Sequence, residues 1–173
     1  HHTATLVTPT FPKNLLWGEM LLDFVSGATV SASHMQPDEE NVAMLKSAGV
    51  TRGVLHLRDP RAALQSWIHF VREKPGLIHG IIGRRDYMSI SLAELTDHMI
   101  EHAFRHFADW IESWCSLLDR DRSLDFLVLM HDSLARDDAA YFRRITDFYG
   151  IDADIKPVAK SSRTHFRKGD NDD

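Results

Sequence analysis

The segment Val54-Leu55-His56-Leu57-Arg58-Asp59-Pro60-Arg61-Ala62-Ala63-Leu64-Gln65-Ser66-Trp67 constrains the fold of this chain more than any other. A short apolar run reads as a buried strand, and Asp59 then stands as a helix N-cap with Pro60 at the first helical position. A strand that turns directly into a helix is the unit of an α/β sheet. Arg58 falls at the carboxyl end of that strand, and Ser66 falls two helical turns into the helix. Both therefore can face the crevice above the sheet edge, where open α/β sheets bind ligands. A guanidinium fork and a hydroxyl converging there suit a phosphate group. The plainer alternative is that Arg58 pairs with Asp59 or Asp38 and that Ser66 is a tolerated helix residue.

Alternation of strand and helix continues along the chain. Thr3 to Thr8 is β-branched and apolar, Pro9 to Lys13 breaks the pattern, and Leu15, Leu16, Met20, Leu21 and Phe24 recur at helical spacing. Strand, loop and helix in that order frame a phosphate-binding loop, although no Gly follows Lys13 to supply the conformations such a loop needs. Ala28 to Ser33 reads as a second strand ending at His34, before an acidic helix start at Asp38-Glu39-Glu40. Asn41 to Ala48 reads as a helix closed by Gly49.

Beyond Lys74-Pro75-Gly76, residues 75 to 90 carry Gly76, Gly80 and Gly83 and read as a long loop, either shaping an acceptor pocket or forming a surface insertion. Ser91 to Glu94 is a capping box, and the stripe from Leu92 through Met99, Phe107 and Trp114 to Leu118 predicts one long amphipathic helix. Leu124 to Met130 is a fourth strand, and Ala139 to Tyr149 a helix closed by Gly150. Parallel neighbours need crossover connections, so the expected architecture is a central parallel sheet flanked by helices, in a single domain over 1-173.

Composition excludes several classes. With 173 residues, 43% apolar and 26% charged, the chain is sized for one globular core, and a net charge of −5 argues against a general nucleic-acid binder. No apolar run reaches bilayer length and no secretory signal opens the sequence, so a cytoplasmic, reducing compartment without membrane association is expected. His1-His2 resemble a purification-tag remnant. The single Cys115 excludes an internal disulfide and is expected to be a buried thiol. His102 and His106 stand at helical i,i+4 spacing without a third ligand, which favours a solvated face over zinc.

Four segments resemble, in order, those of sulfotransferases that use 3′-phosphoadenosine 5′-phosphosulfate (PAPS). Phe11-Pro12-Lys13 and Glu19-Met20-Leu21 are similar to the flanks of the donor loop, Pro-Lys-Ser-Gly-Thr-Thr-Trp and the Glu-bearing helix after it. About two residues are wanting where Ser-Gly stands in the family, which points to a segment missing between Lys13 and Asn14, with a genuine deletion as the alternative. Ser33-His34-Met35-Gln36-Pro37 is a loose version of Thr-His-Leu-Pro, whose His is the family's catalytic base. Arg58-Asp59-Pro60-Arg61, with Ser66 eight positions after Arg58, resembles the 3′-phosphate segment. His165-Phe166-Arg167-Lys168-Gly169-Asp170 resembles Phe-x-Arg-Lys-Gly, which the family usually continues through Gly-Asp-Trp, so the tail is expected to be truncated. His131-Asp132-Ser133-Leu134 and Phe148-Tyr149-Gly150-Ile151 are similar to the family's acidic turn and helix ending.

The resemblance implies a P-loop-type three-layer α/β fold and transfer of a sulfuryl group from PAPS to an acceptor hydroxyl or amine on a small molecule. His34 would be the base and Lys13 would assist the leaving group; Lys13 and Asn14 would hold the 5′-phosphosulfate, and Arg58, Ser66, Arg167, Lys168 and Gly169 the 3′-phosphate. No metal is required by that chemistry. The runner-up is a nucleotide-dependent kinase on the same scaffold, disfavoured because no Gly-Lys-Ser/Thr ending is present. A non-catalytic nucleotide-binding relic is the third reading.

Overall fold

The computed structural model describes residues 34–73 and 87–155. The expected strands at 3–8 and 28–33, the helix from 14, residues 75–86 of the expected long loop and the tail from 161 lie outside these residues. Within them the chain runs through α1 (Glu39–Ser47), β1 (Arg52–Leu57), α2 (Pro60–Glu73), α3 (Leu92–His102), α4 (Phe104–Arg120), β2 (Asp125–Met130), α5 (His131–Arg136) and α6 (Asp138–Tyr149). β1 and β2 pair in parallel, from Arg52 opposite Asp125 to Leu57 opposite Met130. Among the described residues this is a two-stranded sheet flanked by helices.

Local chemistry sets the element ends. Asp38 caps α1 by accepting from the Asn41 N–H at 2.9 Å. Ser91 and Glu94 form the reciprocal capping box at 3.1 and 2.8 Å. Gly150 closes α6 at φ 67°, with the Gly150 and Ile151 N–H groups returning to Asp147 and Thr146; Gly49 closes α1 the same way at φ 72°. Each stop needs a left-handed backbone that a side chain would strain.

Two apolar clusters hold the helices. Met35, Leu45, Leu55, Leu57, Trp114, Leu117 and Leu124 join α1, β1 and α4. Leu64, Ile68, Val71, Tyr87, Leu95, Met99 and Ala103 join α2 and α3. This division corrects the single long helix expected over 92–118. Leu95 and Met99 serve one cluster while Trp114 and Leu117 serve the other, so one straight stripe cannot reach both, and the helix breaks at buried Ala103. Cys115 corrects a second expectation: its thiol is exposed. It stands about 100° around α4 from Trp114, beside Ser113 and Ser116 on the outer face.

At Gly53 the space beside the backbone is taken by the Phe126 ring of β2. A Cβ there would lie 2.6 Å from Cε1 of Phe126, and that ring is backed by Trp114 at 5.3 Å between centroids. Gly53→Ala is expected to lower unfolding free energy by about 1–3 kcal/mol, the usual range for overpacking. Denaturant melts of Gly53→Ala and of Gly53→Ala with Phe126→Leu check it, because the smaller side chain should restore part of the loss. Equal losses in both would show that the ring is not what the Cβ meets.

Candidate functional site

Strand β1 delivers its last residues to the carboxyl edge of the sheet. Leu55 and Leu57 are buried on one face, and the period of two sends His56 to the other. Arg58 follows immediately, half-buried. Asp59 then opens α2, its carboxylate accepting from the Arg61 N–H at 2.8 Å and the Arg61 guanidinium at 2.8 Å. The Arg61 side-chain bond holds the Asp59 carboxyl well below the usual carboxylate range. Asp59 therefore pairs with Arg61, not Arg58, and no ion pair of Arg58 occurs among the described residues. Ser66 lies on the exposed side of α2, opposite buried Leu64 and Ile68.

His34 is exposed in the extended segment before α1. That segment is anchored at its neighbours: the Met35 carbonyl accepts from Trp110 Nε1 at 2.8 Å and Trp114 Nε1 at 3.3 Å. The Gln36 carbonyl accepts from Nδ2 of Asn41, which is wholly buried. A main chain tied on both following residues limits where the His34 ring can travel. Lys13, Asn14, Arg167, Lys168 and Gly169 lie outside the described residues.

Sequence reasoning missed one grouping at the sheet edge. β1 and β2 run in parallel and end in register, so His131 begins just beyond the ladder on the edge that also carries Arg58. The His56 and His131 rings stand 5.6 Å apart between centroids, and His56 Nδ1 meets the Tyr141 hydroxyl of α6 at 3.1 Å. Partial burial lowers the pKa of His56, and His131 and Arg58 push the same way. Burial and Arg58 lower that of His131 against the opposing pull of Asp132. Burial raises that of Tyr141. The only sequence sign was that His56 interrupts an apolar strand, since its partners are supplied by segments far along the chain.

His102 and His106 do not form a pair. The helix break separates them, and His102 instead lies 4.4 Å from His98 between ring centroids. Among the described residues no three metal-capable side chains gather, and no helix is long and apolar enough to cross a membrane.

A strand-to-helix turn that presents, at the carboxyl edge of a parallel sheet, an arginine with no ion pair among the described residues is chemically suited to an anion. Residues 26–171 match the family model described as Sulfotransferase domain. The chain belongs to the sulfotransferase family. The match takes in His34, Arg58, Ser66, Arg167, Lys168 and Gly169, and starts beyond Lys13 and Asn14. No curated protein and no solved structure matches the chain. The P-loop-type α/β fold of a sulfotransferase accords with the helix-flanked parallel sheet, and the family's reaction is transfer of a sulfuryl group from a sulfonate donor.

Proposed function

We propose that this sulfotransferase takes its sulfuryl group from PAPS and passes it to a hydroxyl or amine of a small-molecule acceptor. The observation that carries this reading is Arg58, set at the strand end beside two histidines, with its neighbouring carboxylate already engaged by Arg61. A phosphomonoester fits such a place, because its oxygens would meet a guanidinium fork with no competing carboxylate among the described residues. Ser66 on α2, with Arg167, Lys168 and Gly169, would complete the 3′-phosphate contacts. Lys13 and Asn14 would hold the 5′-phosphosulfate.

The donor supplies an activated sulfuryl group on a good leaving phosphate. The protein's task is to orient both reactants and manage one proton. His34 accepts the acceptor's proton as the new bond to sulfur forms. Lys13 would supply positive charge to the departing bridging oxygen as it takes the electron pair of the breaking bond. Incubation with 35S-labelled PAPS and a panel of phenols, alcohols and amines should move label to at least one acceptor and leave 3′-phosphoadenosine 5′-phosphate (PAP). Tight PAP binding with no transfer to any class would instead favour a binding-only protein. No PAP binding at all would discard the donor assignment.

A further inference from the structure

The cluster His56, His131 and Tyr141 is not used by the chemistry above, yet it lies against Arg58. We propose that His56 and His131 form, with Arg58, a proton-accepting phosphate site at the carboxyl edge of the sheet, where a phosphomonoester dianion binds together with a single proton. The proposal rests on the reading of Arg58 as a ligand of the donor's 3′-phosphate and adds the proton that accompanies that phosphate.

The geometry carries it. Both rings stand at the strand ends on the edge that bears Arg58, 5.6 Å apart. Among the described residues, Arg58, just past β1, acts on both rings, Asp132 of α5 acts on His131, the Tyr141 hydroxyl of α6 meets His56, and Arg144 of α6 acts on Tyr141. Asp132 is the sole carboxylate among these. Without a ligand, a second cation beside Arg58 is therefore unfavourable, and both imidazoles are biased toward neutrality. A dianion on Arg58 reverses the local field and favours an imidazolium.

Tyr141 allows that change without losing a hydrogen bond. Its hydroxyl can donate to a bare His56 Nδ1 or accept from a protonated one at the same 3.1 Å. The second imidazole, beside the first and beside Arg58, is then disfavoured from charging, so the pair titrates as a unit and takes up one proton.

The sign separates this from the ligand's own titration. Ligand-free, the pair has a pKa below the ordinary histidine value; bound, it has a pKa raised by the dianion. Between those two values binding draws a proton from solution, and affinity falls as pH rises, at most about tenfold per pH unit for one proton. A phosphomonoester that loses its own second proton, near pH 6, on contact with Arg58 would release protons and bind better as pH rises.

The test is calorimetric titration of the full chain with PAP at pH 7, in buffers of differing protonation enthalpy, which reads net protons exchanged. Uptake approaching about one proton per nucleotide is expected, falling to near zero in His56→Gln/His131→Gln and absent with adenosine 5′-phosphate, which lacks the 3′-phosphate. In the unmutated protein, the histidine ring C–H resonances of both residues, assigned from the single variants, should begin nearer neutral imidazole. On adding PAP, at least one should move toward imidazolium. Binding of PAP with no uptake or with release, uptake that survives in the double variant, or ring signals that do not move would each overturn the proposal while leaving the donor assignment intact. Equal uptake with adenosine 5′-phosphate would overturn its link to the 3′-phosphate. Absence of PAP binding would fail the functional reading itself, and the proposal with it.

Discussion

His34→Ala is expected to reduce turnover by at least ~10²-fold, the lower range for loss of a general base, while PAP affinity stays within about twofold of the unmutated protein because the base touches the acceptor rather than the donor. The separation follows from where the ring sits. His34 is exposed and contributes little to either apolar cluster. Its backbone is held by Met35 and Gln36, whose carbonyls accept from Trp110, Trp114 and Asn41. Removing the imidazole leaves those three donors in place, so the segment should keep its course and the variant its fold, which a thermal melt checks. A change confined to turnover would then report chemistry and not unfolding. Steady-state rates with the best acceptor, alongside calorimetric PAP binding, check it; near-normal turnover would assign the base to another group.

The order of legibility follows the range of the interactions. The turn from β1 into α2 was readable because everything that makes it is local: Asp59 accepts from Arg61 two residues on, and Pro60 lacks the N–H that the first turn would leave unpaired. The Ser91 capping box and the stops at Gly49 and Gly150 are equally short-range, and all were legible. The break at Ala103 was not. The 3.6-residue period records only that one face is apolar, and which cluster each half joins depends on Tyr87, Leu64, Met35 and Leu55, supplied by other parts of the chain. Cys115 misled for a related reason, since a hydrophobic residue beside a stripe resembles a member of it until the outward-facing positions 112, 113, 115 and 116 are seen together.

The site divides along the same line. Arg58 could be singled out because the end of β1 is legible, and His34 because its flanking motif resembles that of sulfotransferases. His56 and Tyr141 were not, because they meet across 85 residues of sequence through a parallel pairing and the packing of α6 on the sheet. A histidine alternating with Leu55 and Leu57 says only that it faces away from them. What it faces is a tertiary fact.

Arg58→Ala is expected to weaken PAP binding by about 1.5–3 kcal/mol, the range for a hydrogen bond to a charged group. That corresponds to roughly 10- to 150-fold in Kd. Arg58 is half-buried at the end of β1, and among the described residues no carboxylate pairs with it, so its loss strands no buried anion. Folding should be little affected, because Asp59 caps α2 through Arg61 and Ala62 whatever stands at position 58. Removing Arg58 also removes a charge that lowers the pKa of both His56 and His131. The sign is definite: both histidines should titrate at higher pH in the ligand-free variant, whereas Arg58→Lys keeps the charge and loses only the fork, so comparing the two variants separates these effects. Arg58→Lys should therefore resemble the unmutated protein in histidine titration and resemble Arg58→Ala in part of its lost affinity, since an ammonium is a point charge without the planar fork. Calorimetry gives the affinities and NMR titration the histidines. Unchanged affinity in folded Arg58→Ala would remove this residue from the phosphate site, and a histidine titration that ignored the substitution would show that the strand-end groups do not share a field.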